Sequence, residues 1–305
     1  MLRLERVGDG PILEPRADVY WEKDTVFNTA AVYDASLDRG PFHLLYRGVA
    51  HTPGDPNRSS IGYAWSEDGV HFERLDKPVL PSNVVPEESQ GVEDPRVTKI
   101  GDTFYMLYTA FDGVRTQVAM ATSADLIHWE RQGIMIPSSL YGNNKDAALF
   151  PVKIDGRYWM LHRPEPDIYI ASSEDLTTWT GAGTLHFPLM QPEFAWEARK
   201  IGGGAQPIET EKGWLLVYHG VDKDLWYRLG VALLDREDPT RVIARQSEPI
   251  LEPEADWELV GDVNNVVFTC GALLLGRELW VYYGAADTVI ALAKGNINDF
   301  LDDIA

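Results

Sequence analysis

The sequence predicts an all-β fold, a single five-bladed β-propeller spanning residues 1–305. Three observations predict it: an internal repeat at intervals of roughly 60 residues, strand-like segments in every copy, and turn residues between those segments. A strand-rich repeat of this period is typical of propeller blades, each a four-stranded sheet. The alternative, an open β-sandwich with coincidental repeats, is disfavoured because repeats at one period rarely arise by chance.

Each copy of the repeat begins at a corner with a proline. The corners start at Pro11 (PILEP), Pro78 (PVLP), Ile134 (IMIP), Pro188 (PLMQP) and Pro249 (PILEP). The first corner precedes any complete copy, and no corner follows the last copy. We therefore expect the N-terminal strand to join the last blade as its outer strand and so close the ring.

Three strand-like segments follow the corners. The predicted first strands are FNTAAV from Phe27, EDPRVTKI from Glu93, KDAALFPVKI from Lys145, KIGGGAQPI from Lys200 and VNNVVFTCG from Val263. The second strands are FHLLYR, TFYMLYT, RYWMLHR, GWLLVYH and LWVYYG, which alternate as a half-buried ribbon does. A third segment with small residues completes each copy, ending with VIALAKGN from Val289.

Composition limits the possible partners and location of the protein. The chain has 27 basic and 47 acidic residues, a net charge of -20, which disfavours binding to nucleic acid or to an anionic membrane. Its single cysteine, Cys270, suits a reducing compartment, and the N-terminus lacks a signal peptide, so a cytoplasmic location is predicted. The chain has no zinc-type spacing, phosphate loop or GxSxG motif, so no metal or cofactor is predicted.

The repeat also predicts which residues meet at the centre, because the innermost strands of a propeller line a central channel. Near the starts of the first strands, the equivalent positions hold Asn28, Asp94, Asp146, Lys200 or Gly202, and Asn264 or Asn265. Near the ends of the second strands, they hold Arg47, Thr109, Arg163, His219 and Tyr283.

Several of these axial residues are cations, which is unusual in so acidic a chain. Together with two lysines of the first strands, Arg47 and Arg163 predict a local site for an anionic ligand. The structural alternative is that Arg47 and Arg163 pair with Asp94 and Asp146 to hold blades together. Four or five cations exceed what two carboxylates require, so the anion site is the favoured interpretation.

Six segments resemble glycoside hydrolase family 130. They are GVEDPRV (91–97), KDAALFP (145–151), MLHRP (160–164), KIGGGAQPI (200–208), GWLLVYHGV (213–221) and YYGAAD (282–287). The resemblance spans nearly the whole chain. It implies a five-bladed propeller that acts on β-mannosides, chiefly by phosphorolysis, in which inorganic phosphate is a co-substrate and α-mannose 1-phosphate a product.

The resemblance implies a role for each matching residue. Asp94, in the EDPR motif, matches the catalytic acid, whose proton passes through a hydroxyl of the bound mannose because the carboxyl is too far from the glycosidic oxygen. The residues that match or adjoin phosphate-binding positions are Lys145, Arg163, Lys200 and His219. The residues that match positions holding the cleaved mannose are Asn28, Arg47 and Asp287.

Three further residues complete the predicted substrate contacts. Glu93 is predicted to contact the acceptor sugar or to form a salt bridge with a neighbouring blade, and in a regular strand it points away from the acid. Asp146 is predicted to orient Lys145 or Arg163. Tyr283 is placed at the site by its position in the second-strand ring. Several family members have arginine where this chain has Lys145, which loses the bidentate fork of arginine.

Other repeated residues are assigned to the scaffold or to the rim of the site. Asp68, Asp125 and Asp175 are predicted turn caps. The glycine cluster at 202–204 predicts a close approach of the backbone. Aromatic residues in loops that could stack on sugar rings are Tyr141, Trp196 and Trp226.

Three functions remain open from the sequence: a β-mannoside phosphorylase, a β-mannoside hydrolase of the same family, and a non-catalytic sugar-binding propeller. The retained cations favour the phosphorylase. The sequence does not fix the linkage, β-1,2 or β-1,4, nor the acceptor sugar, which depend on loops such as 53–59 and 222–226. The resemblance also allows a homo-oligomer.

Overall fold

The protein consists almost entirely of β-strands. The computed structural model describes residues 1–51, 58–137, 142–180, 188–302 and 304. Helical turns in these ranges are Pro86–Glu88, Ala195–Glu197, Asp256–Leu259 and Asn298–Leu301. Within the same ranges, no helix is long and apolar enough to cross a membrane. The predicted all-β class is confirmed.

The strands fall into five consecutive groups, preceded by β1 (Glu5–Arg6). The first group is β2 (Thr25–Tyr33), β3 (Phe42–Val49), β4 (Ser59–Ser66) and β5 (Glu73–Arg74). The second is β6 (Gly91–Ile100), β7 (Thr103–Phe111), β8 (Thr116–Ser123) and β9 (Glu130–Ile136). The third is β10 (Asn144–Leu149), β11 (Tyr158–Pro164) and β12 (Tyr169–Ser173). The fourth is β13 (Lys200–Gly203), β14 (Ile208–Thr210), β15 (Gly213–Val221), β16 (Tyr227–Leu234) and β17 (Val242–Arg245). The fifth is β18 (Val267–Leu275), β19 (Glu278–Ala285) and β20 (Val289–Asn296).

Within every group, successive strands pair antiparallel, as the turns between the predicted strands require. In the fourth group β13 and β14 both pair with β15, so they are two halves of one interrupted first strand. A single parallel pair, Ser59 with Gly91, links the first and second groups into one eight-stranded sheet.

The N-terminal strand pairs with the end of the chain, as the sequence predicts. Glu5 and Arg6 of β1 lie opposite Lys294 and Ala293 of β20, in an antiparallel register. A further bridge joins Leu13 to Ile290. The outer strand of the fifth group therefore comes from the opposite end of the chain.

Buried apolar residues form a cluster between each pair of neighbouring groups. The first and second groups share one cluster, the second and third another, and the series continues to the fourth and fifth. A further cluster joins the fifth group to the first, where Trp280 stacks on Phe42 with ring centroids 5.3 Å apart. Each strand group therefore packs against apolar residues of both neighbouring groups.

The repeated aspartates cap turns, as predicted. Asp68 Oδ1 accepts hydrogen bonds from the backbone N–H groups of Val70 and His71, at 2.9 and 2.8 Å. Asp125 and Asp175 make the same pair of bonds in the second and third groups. These carboxylates satisfy backbone donors in tight turns and belong to the scaffold.

A second repeated feature, which the sequence analysis missed, consists of a buried glutamate that contacts a tyrosine and an arginine. The sets are Tyr46 with Glu22 and Arg16, Tyr108 with Glu88 and Arg131, Tyr218 with Glu197 and Arg245, and Tyr283 with Glu258 and Arg6. A Trp-Glu dipeptide at 21–22, 196–197 and 257–258 marks three of the four glutamates, but Glu88 lacks it and a fourth copy at 129–130 belongs to no such set among the described residues.

Candidate active site

Three of the predicted axial residues share one unusual backbone conformation. Asn28, Asp94 and Asp146 have φ angles of 47, 51 and 55°, in the left-handed region that non-glycine residues rarely adopt. Each lies where the pairing of its strand with the next shifts register, as in a β-bulge. Such a conformation costs about 1 to 3 kcal/mol per residue and concentrates at functional sites. The sequence alignment of these three positions is therefore matched by their geometry.

Asp94 is buried at the centre of a hydrogen-bonded cluster. Its Oδ2 accepts a hydrogen bond from Lys145 Nζ at 2.8 Å, and its Oδ1 accepts one from Asn28 Nδ2 at 2.9 Å. Arg47 also donates to Oδ1, at 3.2 Å. Burial acts to raise the pKa of Asp94, but the charges of Lys145, Arg47 and Arg96 together outweigh it and hold the pKa well below its usual value.

Glu93 lies on the same side of the strand as Asp94, contrary to the sequence prediction. Its Oε1 accepts a hydrogen bond at 2.8 Å from Arg47, the same guanidinium that binds Asp94. Strict alternation of side chains would separate the two carboxylates, but the bulge between Glu93 and Arg96 removes that alternation. Of the two predicted roles for Glu93, the salt bridge to a neighbouring strand group is present.

Asp146 holds Arg163 rather than Lys145. Its Oδ2 lies 2.7 Å from Arg163 Nε, and both side chains are almost fully buried. Its Oδ1 accepts a longer hydrogen bond, 3.3 Å, from Arg96, which also donates to the backbone carbonyls of Asp94, Gly203 and Gly204. The prediction that Asp146 orients a neighbouring cation thus fits Arg163.

His219 is buried and neutral beside this pair. Burial lowers its pKa to about 3, although Asp146 acts in the opposite direction. Its Nε2 is 3.8 Å from Asp146 Oδ2, and neither ring nitrogen has a hydrogen-bond partner among the described residues. Gly202 packs against the ring so closely that a Cβ would lie 2.4 Å from His219 Cε1. The predicted close approach at the glycine cluster is therefore present.

A pocket of about 390 Å³ opens beside these residues. Its walls are formed by Thr116, Asn143, Lys145, Arg163 and Glu165. Glu165 was missed by the sequence analysis, because it follows the second strand of its group and has no repeated counterpart. Its Oε1 contacts both Arg163 and Lys200 Nζ, the latter at 2.8 Å. Two of the three predicted cations, Lys145 and Arg163, therefore line this pocket, and Lys200 contacts its wall through Glu165.

Asp287 lies on the turn between β19 and β20, close to the Asp94 cluster. Its φ angle is 51°, which again is left-handed. Burial raises the pKa of Asp287 to about 6, opposed by the charge of Arg47 and reinforced by that of Asp94. No hydrogen bond of its carboxyl occurs within the part of the chain that the structure describes.

Tyr283 is a correction to the predicted site. Its side chain is fully buried in the core, and its hydroxyl donates a 2.7 Å hydrogen bond to Glu258. It therefore corresponds to Tyr46, which binds Glu22 in the same way, and not to Arg47. The YYG motif offers two tyrosines, and the sequence alignment was displaced by one residue.

The alignment of β18, the first strand of the fifth group, also needs correction. Gly284, not Tyr283, lies at the position of Arg47, and Phe268 is its partner across the ladder. Asn264 and Asn265 precede β18 and are not strand residues. Thr269 therefore occupies the position that Asn28 and Asp94 hold in their groups.

Of the three loop aromatic residues predicted to stack on sugar rings, the structure describes Trp196 and Trp226. Trp196 lies against Tyr218, at 5.7 Å between ring centroids, and Arg228 lies over the ring of Trp226 at 5.2 Å. Tyr141 and most of the predicted loop at 53–59 lie outside the described residues.

The site thus combines a buried carboxylate, Asp94, that binds three neighbouring side chains with a cation-lined pocket next to it. A family model for glycoside hydrolase family 130, described as beta-1,4-mannooligosaccharide phosphorylase, matches residues 12–304. The chain belongs to glycoside hydrolase family 130. Similarity to curated proteins supports the family 130 assignment over the whole chain. Two proteins of Thermoanaerobacter sp. (strain X514), a 1,2-beta-oligomannan phosphorylase and a beta-1,2-mannobiose phosphorylase, are each 49% identical to it.

These alignments cover 98% and 96% of this chain and 99% and 97% of the relatives. Among solved structures, the beta-1,2-mannobiose phosphorylase of Listeria innocua in complex with beta-1,2-mannobiose has a TM-score of 0.87 at 31% identity, covering 99% of each chain. The family 130 likeness therefore extends to the whole fold.

Proposed function

We propose that this chain catalyses inverting phosphorolysis of β-mannosides, producing α-mannose 1-phosphate and a shortened acceptor. The observation that carries the proposal is a buried acid, Asp94, hydrogen-bonded to a lysine that also lines a cationic pocket. An inverting phosphorylase needs one acid and a set of cations that hold phosphate in line with the anomeric carbon. Similarity to relatives that are named as β-1,2-oligomannan and β-1,2-mannobiose phosphorylases supports the same proposal.

The proposed reaction is an inverting displacement at the anomeric carbon. A phosphate oxygen attacks the anomeric carbon of the mannose from the face opposite the glycosidic oxygen, and the bond to that oxygen breaks. The departing oxygen takes a proton that originates at Asp94 and is relayed by a hydroxyl of the mannose. Arg163 and Lys200 bind the phosphate, His219 donates a neutral N–H to it, and Asn28, Arg47 and Asp287 hold the mannose.

Lys145 connects the two halves of the site. In the structure its ammonium binds Asp94 and keeps that carboxyl ionised, whereas an acid catalyst must carry a proton. A phosphate dianion in the pocket would partly neutralise Lys145 and thereby raise the pKa of Asp94. Phosphate binding would thus prepare the acid as well as supply the nucleophile.

A hydrolase is the second candidate, and it would require a carboxylate that activates water. The two carboxylates that pair with Arg163, Asp146 and Glu165, are poorly suited to this role. Burial acts against the ionised form of Asp146, but Arg163 and Arg96 hold its pKa well below the usual value. Glu165, paired with Lys200 and Arg163, has a pKa of about 2 despite partial burial. Both are weak bases, so neither carboxylate paired with Arg163 is suited to activate water there.

We further propose that the natural linkage is β-1,2. The two relatives at 49% identity are named for β-1,2 substrates, whereas the family model is described by β-1,4 activity. The test is a panel of β-1,2- and β-1,4-mannobiose, each incubated with and without phosphate. We expect phosphate-dependent release of mannose 1-phosphate at a rate at least about tenfold higher for the β-1,2 isomer. Equal rates, or a preference for the β-1,4 isomer, would refute the linkage proposal alone.

We also propose that the five strand groups form one closed propeller. The five strand groups, the pairing of β1 with β20 and the apolar cluster between the fifth and first groups support a single, closed five-bladed propeller. One buried cysteine supports a cytoplasmic location. We propose a mannoside and phosphate as the ligands, with no other cofactor, no nucleic-acid or membrane partner, and a homo-oligomer as the assembly.

A further inference from the structure

Glu165 forms ion pairs with Arg163 and Lys200, two of the cations that the proposed function assigns to phosphate. A single oxygen, Oε1, contacts Arg163 NH1 and lies 2.8 Å from Lys200 Nζ. The structure gives Lys200 no other ion pair among the described residues. Arg163 has a second partner, Asp146, on the opposite side of its guanidinium. One carboxylate therefore neutralises the accessible side of two cations at once.

Arg163 is held more firmly in place than Glu165. The Arg163 side chain is only 3% exposed and is anchored to Asp146 at 2.7 Å. The Glu165 side chain is 57% exposed, and no backbone donor binds its carboxylate in the described residues. An exposed carboxylate leaves an ion pair at small cost, since water solvates it readily. When an anion enters, Glu165 is the partner that can move.

We propose that Glu165 is a resident counter-ion of the phosphate site, which phosphate must displace from Arg163 and Lys200 and which thereby sets phosphate affinity. This inference rests on the proposed function. In the free protein the carboxylate holds the two cations side by side and limits their mutual repulsion. When phosphate binds, its oxygens replace Oε1, and the side chain turns toward solvent, because two anions cannot share the same donors.

Glu165 remains ionised near neutral pH, so its carboxylate competes with phosphate there. Burial raises its pKa somewhat, but the hydrogen bond from Lys200 and the charge of Arg163 lower it to about 2. Removing the charge therefore removes the competitor at any pH near neutrality. Glutamine keeps the shape of the side chain and its exposure.

The test compares Glu165→Gln with the wild type by calorimetric titration of inorganic phosphate in the absence of mannoside. We expect phosphate to bind about three- to tenfold more tightly to Glu165→Gln. The KM for phosphate in phosphorolysis should fall by a similar factor. A second variant, Glu165→Ala, should show the same direction and exclude an effect of the new amide.

Glu174→Gln is the matched control. It removes one carboxylate of the same strand group, paired at 3.2 Å with Arg157 on the surface, and should leave phosphate affinity unchanged. Unchanged or weaker phosphate binding in both Glu165 variants would overturn the inference. If the wild type itself neither binds nor requires phosphate, the proposed function fails instead, so the two failures are distinguishable.

Discussion

At Asp94, three side chains donate hydrogen bonds to one buried carboxylate: Asn28 and Arg47 to Oδ1, and Lys145 to Oδ2. The sequence predicted these four residues as neighbours, because the repeat aligned their strands. The structural alternative named two pairs that are present, Arg47 with Asp94 and Arg163 with Asp146, but the sequence did not predict that Lys145 also binds Asp94. Arg163 and Asp146 form one pair, and Lys145 with Asp94 forms another, since bulges decide where each carboxylate points.

Asp94→Asn tests the assignment of the acid. The amide keeps the size of the side chain but has no acidic proton to transfer, so we expect kcat/KM for phosphorolysis to fall by about a hundredfold or more. Steady-state kinetics measures this, and thermal unfolding establishes that the variant is folded. Asp175→Asn, at a surface turn, is the control and should retain wild-type kinetics. Activity of Asp94→Asn within a few-fold of the wild type would show that another residue supplies the proton.

At the scale of the strand, the sequence predicted the regular parts of the strands and not the bulges. The second strands were placed well because they are apolar runs bounded by turns, although β15 is buried along its whole length and not half-buried as predicted. Glu93 was predicted to face away from Asp94, but the bulge at Asp94 brings both carboxylates to Arg47. Tyr283 was displaced by one residue because the contact that defines its position, with Glu258, is distant in sequence.

The buried glutamates join strands to the segments that precede each group, and Glu258 is the clearest case. It is fully buried and binds Arg6 of β1 and the hydroxyl of Tyr283. Replacing it by glutamine removes the buried charge partner of Arg6 and leaves, among the described residues, only the exposed Glu254, so we expect the free energy of unfolding to fall by about 2 to 4 kcal/mol. Chemical denaturation of Glu258→Gln measures this loss.

Glu254 provides the matched control for this stability prediction. It binds the same Arg6 at 3.1 Å, but its side chain is 66% exposed. Surface ion pairs contribute about 0 to 1 kcal/mol, so Glu254→Gln should lose correspondingly little. Equal losses in the two variants would mean that burial of the glutamate is not what stabilises this contact.

At the scale of the whole molecule, the net charge and the repeat together predicted a binding site for an anion within an acidic protein. A net charge of -20 disfavours general anion binding, so cations gathered at one point indicate a specific anion. What no sequence pattern predicted is that a carboxylate, Glu165, already sits on those cations. It lies outside the repeat, and its partners come from two different strand groups.

The central claim is that phosphate, not water, attacks the anomeric carbon. The most direct test is to follow the protein with β-1,2-mannobiose by phosphorus and proton NMR, with and without inorganic phosphate. We predict that α-mannose 1-phosphate and mannose appear together in equal amounts when phosphate is present. Without phosphate, the disaccharide should remain intact. Release of two mannose molecules per disaccharide, at a rate independent of phosphate, would contradict the account.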